Sequence, residues 1–233
     1  MGPDIVIWYL VFVFSTTCHE AAHAFAAHRG GDPTAYLGGH VSLDPLPHIR
    51  RSPFGMVIVP VISFIQMNWM IGWASVPFDP LWGQRYPRRQ ALMSLAGPLA
   101  NLSLAVVAFI VMRVLLAADV LIPPEQASFE QLVAAPGGAE HSLLGALAMG
   151  LSVMLFLNVL LGLFNLMPVP PLDGGGIVEG IAPARIRELY SQVRSNPWLQ
   201  LGGLILAWQL FARIAQPLLP LLLSALHPDV RYG

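Results

Sequence analysis

The chain has 233 residues, 55% of them hydrophobic and only 11% charged, against about 25% charged in an ordinary soluble domain. Its formal net charge is −1, and its 12 basic residues are all arginines scattered along the chain, a distribution with no basic patch, so no nucleic-acid partner is expected. With a mean hydropathy of +0.63 this is a membrane protein by composition, long enough for five or six membrane segments joined by short connections.

The first apolar stretch, about residues 4 to 25, is long enough to cross a bilayer. Asp4 and no basic residue precedes it, which reads as a retained helix rather than a cleaved leader. Its last two turns contain "HEAAH", His19 to His23. Histidines at i and i+4 lie one above the other on a helix face, about 6 Å apart, so both imidazoles can reach one metal ion. Glu20 follows the first histidine and can act as general base for a water at the metal's open position. The bland alternative is a chance match with two core histidines. Three ionisable side chains at the edge of hydrocarbon are expensive, however, and usually functional. Cys18 has no second cysteine to pair with and points about 100° away from His19 on a helix, which reads as a small buried residue rather than a ligand.

A second apolar stretch, Phe54 to Phe78, is interrupted by Pro60, Gln66, Asn68, Gly72 and Pro77. Charge favours a dip over a full span, with both readings left open. Residues 26 to 91 carry Arg29, Arg50, Arg51, Arg85, Arg88 and Arg89 against three aspartates, whereas 119 to 141 carry Asp119, Glu125, Glu130 and Glu140 and no arginine. The positive-inside rule places 26 to 91 in the cytoplasm, and both flanks of 54 to 78 stay there only if that segment is re-entrant.

Further spans are predicted at about 92 to 117, 143 to 168 and 199 to 226. The chain then starts outside, and the ends of the first and third spans meet at one cytoplasmic depth. The 92 to 117 helix opens with "AGPLAN" (Ala96 to Asn101), whose Gly97 and Ala100 permit close helix contact and whose Asn101 puts an amide into the bundle, for packing or for a contact near the site. The third span runs into "NLMPVPPLDGG" (Asn165 to Gly175). A catalytic zinc needs a third protein ligand, and Asp173, the only carboxylate between His141 and Glu179, is the candidate. Prolines before it and glycines after it are expected to break the helix there; the alternative is that Asp173 caps a following helix. Asn158 and Asn165 share one helix face, as interhelical hydrogen-bonding residues or, for Asn165, as a site residue.

Taken together, "HEAAH", "HRGGDPTAYLGGHVSLDPLPH" (His28 to His48), "GWASVPFDP" (Gly72 to Pro80), "AGPLANL" (Ala96 to Leu102) and "NLMPVPPLDGG" resemble the site-2 protease family of intramembrane zinc metalloproteases (peptidase M50 type) in its compact form, over roughly residues 5 to 180. The resemblance implies an all-α polytopic protein with a three-helix catalytic core, a C-terminal helix, and a small re-entrant or β element after the first helix. It implies one zinc held by His19, His23 and Asp173, Glu20 activating water, and Asn165 helping to hold substrate or transition state. It further implies a transmembrane protein or peptide as substrate, contact with membrane lipid, and placement in a prokaryotic cytoplasmic membrane. Residues 1 to 180 form the expected protease core, and 181 to 233 an amphipathic linker with the last membrane helix. The chain departs from relatives at Arg50, where an aspartate is common. No PDZ-like or nucleotide-sensing domain is expected.

A helical substrate must unwind before attack, and the run "YLGGHVSLDP" predicts an exposed strand edge within 36 to 60, near Val41, to receive it. Two other readings compete. A metal transporter would need more carboxylates or histidines along a path, and the later helices supply no acidic residue. A non-catalytic scaffold of the same fold sits poorly with an intact set of ligands and base.

Overall fold

A computed structural model describes residues 4–139, 141–230 and 232. In chain order the helices are α1 (Asp4–Arg29), α2 (Thr34–Leu37), α3 (Pro45–Arg51), a π-helical turn (Phe54–Ile58) running into α4 (Val59–Met67), α5 (Pro80–Arg85), α6 (Pro87–Ala117), α7 (Leu143–Asn165), α8 (Asp173–Ile181), α9 (Ala184–Ser195), α10 (Pro197–Ala215) and α11 (Leu218–Leu226). Helices dominate because a chain in hydrocarbon must satisfy its own amides within each segment. Four stretches among the described residues are long and apolar enough to cross a membrane: Asp4–Arg29, Pro87–Ala117, Leu143–Asn165 and Pro197–Leu226. The protein is an all-α polytopic membrane protein, as expected. Three boundaries differ most from the sequence reading. The second span, α6, begins at Pro87 instead of 92. The first helix continues to Arg29, so His23 lies about 9 Å inside its end at 1.5 Å per residue. The third stops at Asn165 instead of 168, because the prolines that follow cannot extend it.

The helices α1, α6 and α7 form the centre. Trp8, Val11 and Phe12 of α1 pack on Val153 and Leu157 of α7. Ala105, Ala108 and Met112 of α6 pack on Ala148, Leu155 and Phe156 of α7, the small residues allowing close approach of the backbones. On the opposite face of α6, Val106, Val107, Ile110 and Val114 are exposed, as a lipid-facing stripe requires.

The 54 to 79 segment turns back instead of crossing. Its rising limb, Phe54–Met67, is about 20 Å long at the helical rise. It ends at Asn68, which takes a left-handed conformation (φ 52°) as the C-cap of α4, a backbone state asparagine tolerates better than most residues. Trp69 then packs edge-on against Trp8, with ring centroids 4.9 Å apart. Residues 70–79 return without helix or turn. The limbs touch where Trp73 N–H donates to the Gly55 carbonyl (3.1 Å). Only glycine fits there, since a Cβ on Gly55 would strike the Trp73 carbonyl, and one on Gly72 would strike the Gly55 carbonyl and the Phe12 ring. The returning end is tied to the end of α1, where Asp32 accepts from the Asp79 amide (2.7 Å).

The β part of the expectation fails. Residues 36 to 60 contain no strand: Asp44 caps α3 by accepting from the Leu46 amide, with Pro45 as its first residue, and Val41 lies in a bend. A cap and a helix-starting proline outweigh the extended-type residues around them. The strand edge proposed at Val41 does not exist.

Candidate metal centre

The site is assembled from α1, α6 and the start of α8. One face of α1 presents His19 and His23, 8% and 6% exposed, with their Nε2 atoms 2.9 Å apart. Asp173 meets both: its Oδ2 is 3.1 Å from His19 Nε2 and its Oδ1 is 3.2 Å from His23 Nε2. The carboxylate arrives there because α8 starts at Asp173 and packs its glycine face on the preceding loop and on α6. A Cβ on Gly174 would strike the Leu166 and Met167 carbonyls, and one on Gly176 the Ser94 hydroxyl. The glycines therefore sit inside α8 and let it pack closely, and do not break the chain as the sequence suggested. Asp173 is the first residue of that helix and does not cap it.

Partners on the far side of each ring determine what the imidazoles offer. His23 Nδ1 lies 2.7 Å from the Met93 carbonyl, and His19 Nδ1 lies 2.5 Å from Asn101 Oδ1. Facing oxygens, each Nδ1 carries the proton and donates, so each Nε2 presents a lone pair. With both rings neutral, two lone pairs converge with a carboxylate, a set of donor atoms suited to a cation between them. His19, His23 and Asp173 are the group of potential ligands that the described residues bring together. Their donor atoms are 2.9 to 3.2 Å apart, close to the edge of about 3.3 Å of a tetrahedron built on zinc–nitrogen bonds of about 2.0 Å. Nitrogen and oxygen donors in a set of three suit a zinc ion that keeps an open position. Room for it is left by Gly97 of α6, where a Cβ would overlap His23 Nε2. Cys18 is not among the converging groups.

These residues line a cavity of about 840 Å³, together with Glu20 and Asn165. Glu20 is 5% exposed, one residue along α1 from His19. Asn165 returns one amide hydrogen to the Leu161 carbonyl (3.0 Å), leaving the rest of its amide for the cavity. All five residues singled out by sequence are therefore brought to one chamber. His40 and His48 pack against each other with tilted rings (centroids 5.3 Å apart) and do not line it.

Sequence reasoning missed two parts of the chamber. The return limb contributes Ile71 to Val76 and Phe78, and α10 contributes Leu204, Ile205, Trp208 and Gln209. The first lay in a stretch whose course was open between span and dip, and the second lay outside every motif. Asn101 and Asn158 were legible as polar residues in apolar helices. Both are fully buried, and their amides join each other at 2.8 Å. A hydrogen bond between membrane helices contributes only about 0.6 kcal/mol on average, so these amides matter for geometry more than for stability.

A profile of peptidase family M50 matches residues 7–208. The chain is 32% identical to "Putative zinc metalloprotease YwhC" of Bacillus subtilis, over 93% of this chain and 94% of the relative. It is 31% identical to "Putative zinc metalloprotease Rip2" of Mycobacterium tuberculosis, over 72% of this chain and 54% of the relative. With Rip2 of Mycolicibacterium smegmatis the identity is 29%, over the same shares of the two chains. No solved structure matches. With its profile spanning most of the residues, including every one that lines the metal-ligand triad, the chain belongs to peptidase family M50.

Proposed function

We propose that this peptidase is an intramembrane zinc endopeptidase that cuts membrane proteins within or beside their transmembrane segments. The observation that carries this reading is the convergence of three potential metal ligands, His19, His23 and Asp173, beside buried Glu20 in a chamber between membrane-length helices. One zinc per chain, bound there, supplies Lewis acidity toward a peptide carbonyl and toward water. Glu20 takes a proton from the attacking water and hands it to the leaving amine. Asn165, which also lines the chamber, offers its free amide groups to the peptide being cut.

A transmembrane substrate must give up helical hydrogen bonds to be attacked, and it needs replacements. The return limb can provide them. Among the described residues the amides of Ala74, Ser75, Val76 and Phe78 have no backbone acceptor, and all four residues face the chamber. This limb takes over the receiving role expected at Val41. The arginines at residues 29 to 89 support a ligand-bearing end on the cytoplasmic side of a bacterial membrane, with the N-terminus outside.

The test compares purified wild type with Glu20→Gln, and cells expressing each. Glu20→Gln should keep one zinc per chain and lower cleavage by about 10²- to 10⁴-fold, and membrane fragments with new ends inside apolar segments should appear only with wild type. Retained cleavage in Glu20→Gln refutes Glu20 as the base. Absence of stoichiometric metal in wild type refutes the whole reading.

A further inference from the structure

His23 and His19 are held in register by different means. His23 Nδ1 faces the Met93 carbonyl directly (2.7 Å), an acceptor no side-chain substitution removes. His19 Nδ1 faces a side-chain amide, Asn101 (2.5 Å), which could present either its oxygen or its NH₂. Only the oxygen keeps the proton on Nδ1 and the lone pair on Nε2.

What fixes that amide lies one helix further away. Asn158 of α7 directs Nδ2 at the Met154 carbonyl (2.8 Å) and at Ser15 Oγ (2.8 Å). A carbonyl can only accept, so the NH₂ of Asn158 must face it, and Oδ1 must face Asn101. That oxygen in turn accepts from Asn101 Nδ2 (2.8 Å), whose second hydrogen points at the Ser15 carbonyl (3.4 Å). Asn101 Oδ1 is then the atom left for His19. The orientation of each group follows from the previous one, beginning at a backbone carbonyl.

We propose that Asn158 is a positioning residue for the metal centre, and that it acts through Asn101 to hold His19 in the tautomer that offers Nε2 to zinc. The inference rests on the zinc-site reading above. Without Asn158 the amide of Asn101 loses its short anchor and keeps only the long contact to the Ser15 carbonyl (3.4 Å); it then turns more readily, its NH₂ can face His19 Nδ1, and the proton moves to Nε2, where it competes with the metal. Asn158 is 0% exposed and touches neither the ligand atoms nor, among the described residues, the chamber.

The experiment measures zinc affinity of the full-length protein in detergent by chelator competition, and the visible spectrum of the cobalt-substituted protein. Asn158→Leu should weaken zinc binding at least tenfold, within the range seen when partners of metal ligands are lost, and should shift the cobalt spectrum. Asn158→Asp, which keeps an acceptor for Asn101, should stay within about threefold of wild type. In an Asn101→Leu background, Asn158→Leu should have no further effect, because the residue it acts through is gone. An equal loss in both backgrounds would show a packing role and overturn the proposal, and so would an unchanged affinity in Asn158→Leu. If that variant does not fold, Asn158→Ala in the same two backgrounds decides by the same outcomes. Wild type that binds no zinc would overturn the parent reading, a result distinct from both.

Discussion

The chamber has two unlike walls. On the α1, α6 and α7 side, Ser15, His19, Asn101 and Asn158 are all at most 8% exposed, and their polar atoms are joined in one continuous set of hydrogen bonds. On the other side stand the return limb and α10. Among the described residues the amides of Ala74, Ser75, Val76 and Phe78 in the limb have no backbone partner, and α10 meets α7 through aromatic contacts, Phe164 with Trp208 and with Phe211 (5.7 and 5.1 Å). The first wall can present one geometry, as polarising chemistry requires. The second can yield to whatever peptide enters. Rigid chemistry and adaptable binding are thus separated by element, and substitutions should sort the same way.

The largest effect is expected on the rigid wall. Gly97→Val would place a branched side chain on the imidazoles, where even a Cβ overlaps His23 Nε2. Metal analysis should find the protein zinc-free and cleavage at background. A variant that keeps both zinc and cleavage would mean that the close approach of α6 to the imidazoles is not needed.

On the adaptable wall the chemistry should survive while turnover falls. Pro77 already biases Val76 toward the extended region in which proline fits, so Val76→Pro removes an amide with little change of course. Cleavage should fall about tenfold, the worth of one or two backbone hydrogen bonds, with one zinc per chain retained. Unchanged cleavage would remove the limb from substrate binding. Trp208→Ala, which opens the α10 side, should act more weakly, raising KM about threefold with kcat nearly constant, as expected when binding contacts alone are lost. A fall in kcat instead would join α10 to the rigid wall.

The same division explains what was legible beforehand. His19, Glu20, His23 and Asp173 stand out because ionisable side chains are costly in apolar helices, and the four long spans stand out because bilayer thickness sets a length. The depth of the hairpin did not, since Phe54 to Phe78 has the length of a span, and its turning point depends on one left-handed residue, Asn68, together with the Gly55–Gly72 contact. The α10 face was invisible because a helix apolar around most of its circumference, with only Gln200, Gln209 and Arg213 as polar side chains, does not announce which stripe meets the protein. Val41 misled because local β preference is weak against a capped helix start.

The smallest effect on cleavage, with the change falling on stability instead, is expected where the two walls are tied together. Asp32, 1% exposed, accepts from the Thr34 amide and hydroxyl (2.9 and 2.5 Å) and from the Asp79 amide (2.7 Å), so it fastens the return limb to the end of α1. Burial pushes its carboxyl up, but the Thr34 hydroxyl and the Asp79 and Thr34 amides outweigh burial and hold it below its ordinary value. Asp32→Asn should cost about 2 kcal/mol near neutral pH, the scale of hydrogen bonds to a charged acceptor, with chemistry intact. The ionised carboxylate contributes fully above its unfolded-state value of about 3.9. As pH falls further the unfolded chain binds the proton first, and the contribution shrinks until the folded carboxyl is protonated too. Thermal unfolding of wild type and Asp32→Asn in detergent should therefore differ by a constant amount from pH 7 to about 4.5 and converge below that. A gap that stays constant through pH 3 would mean that the limb is held by packing at Gly55 and Gly72 and not by this charge.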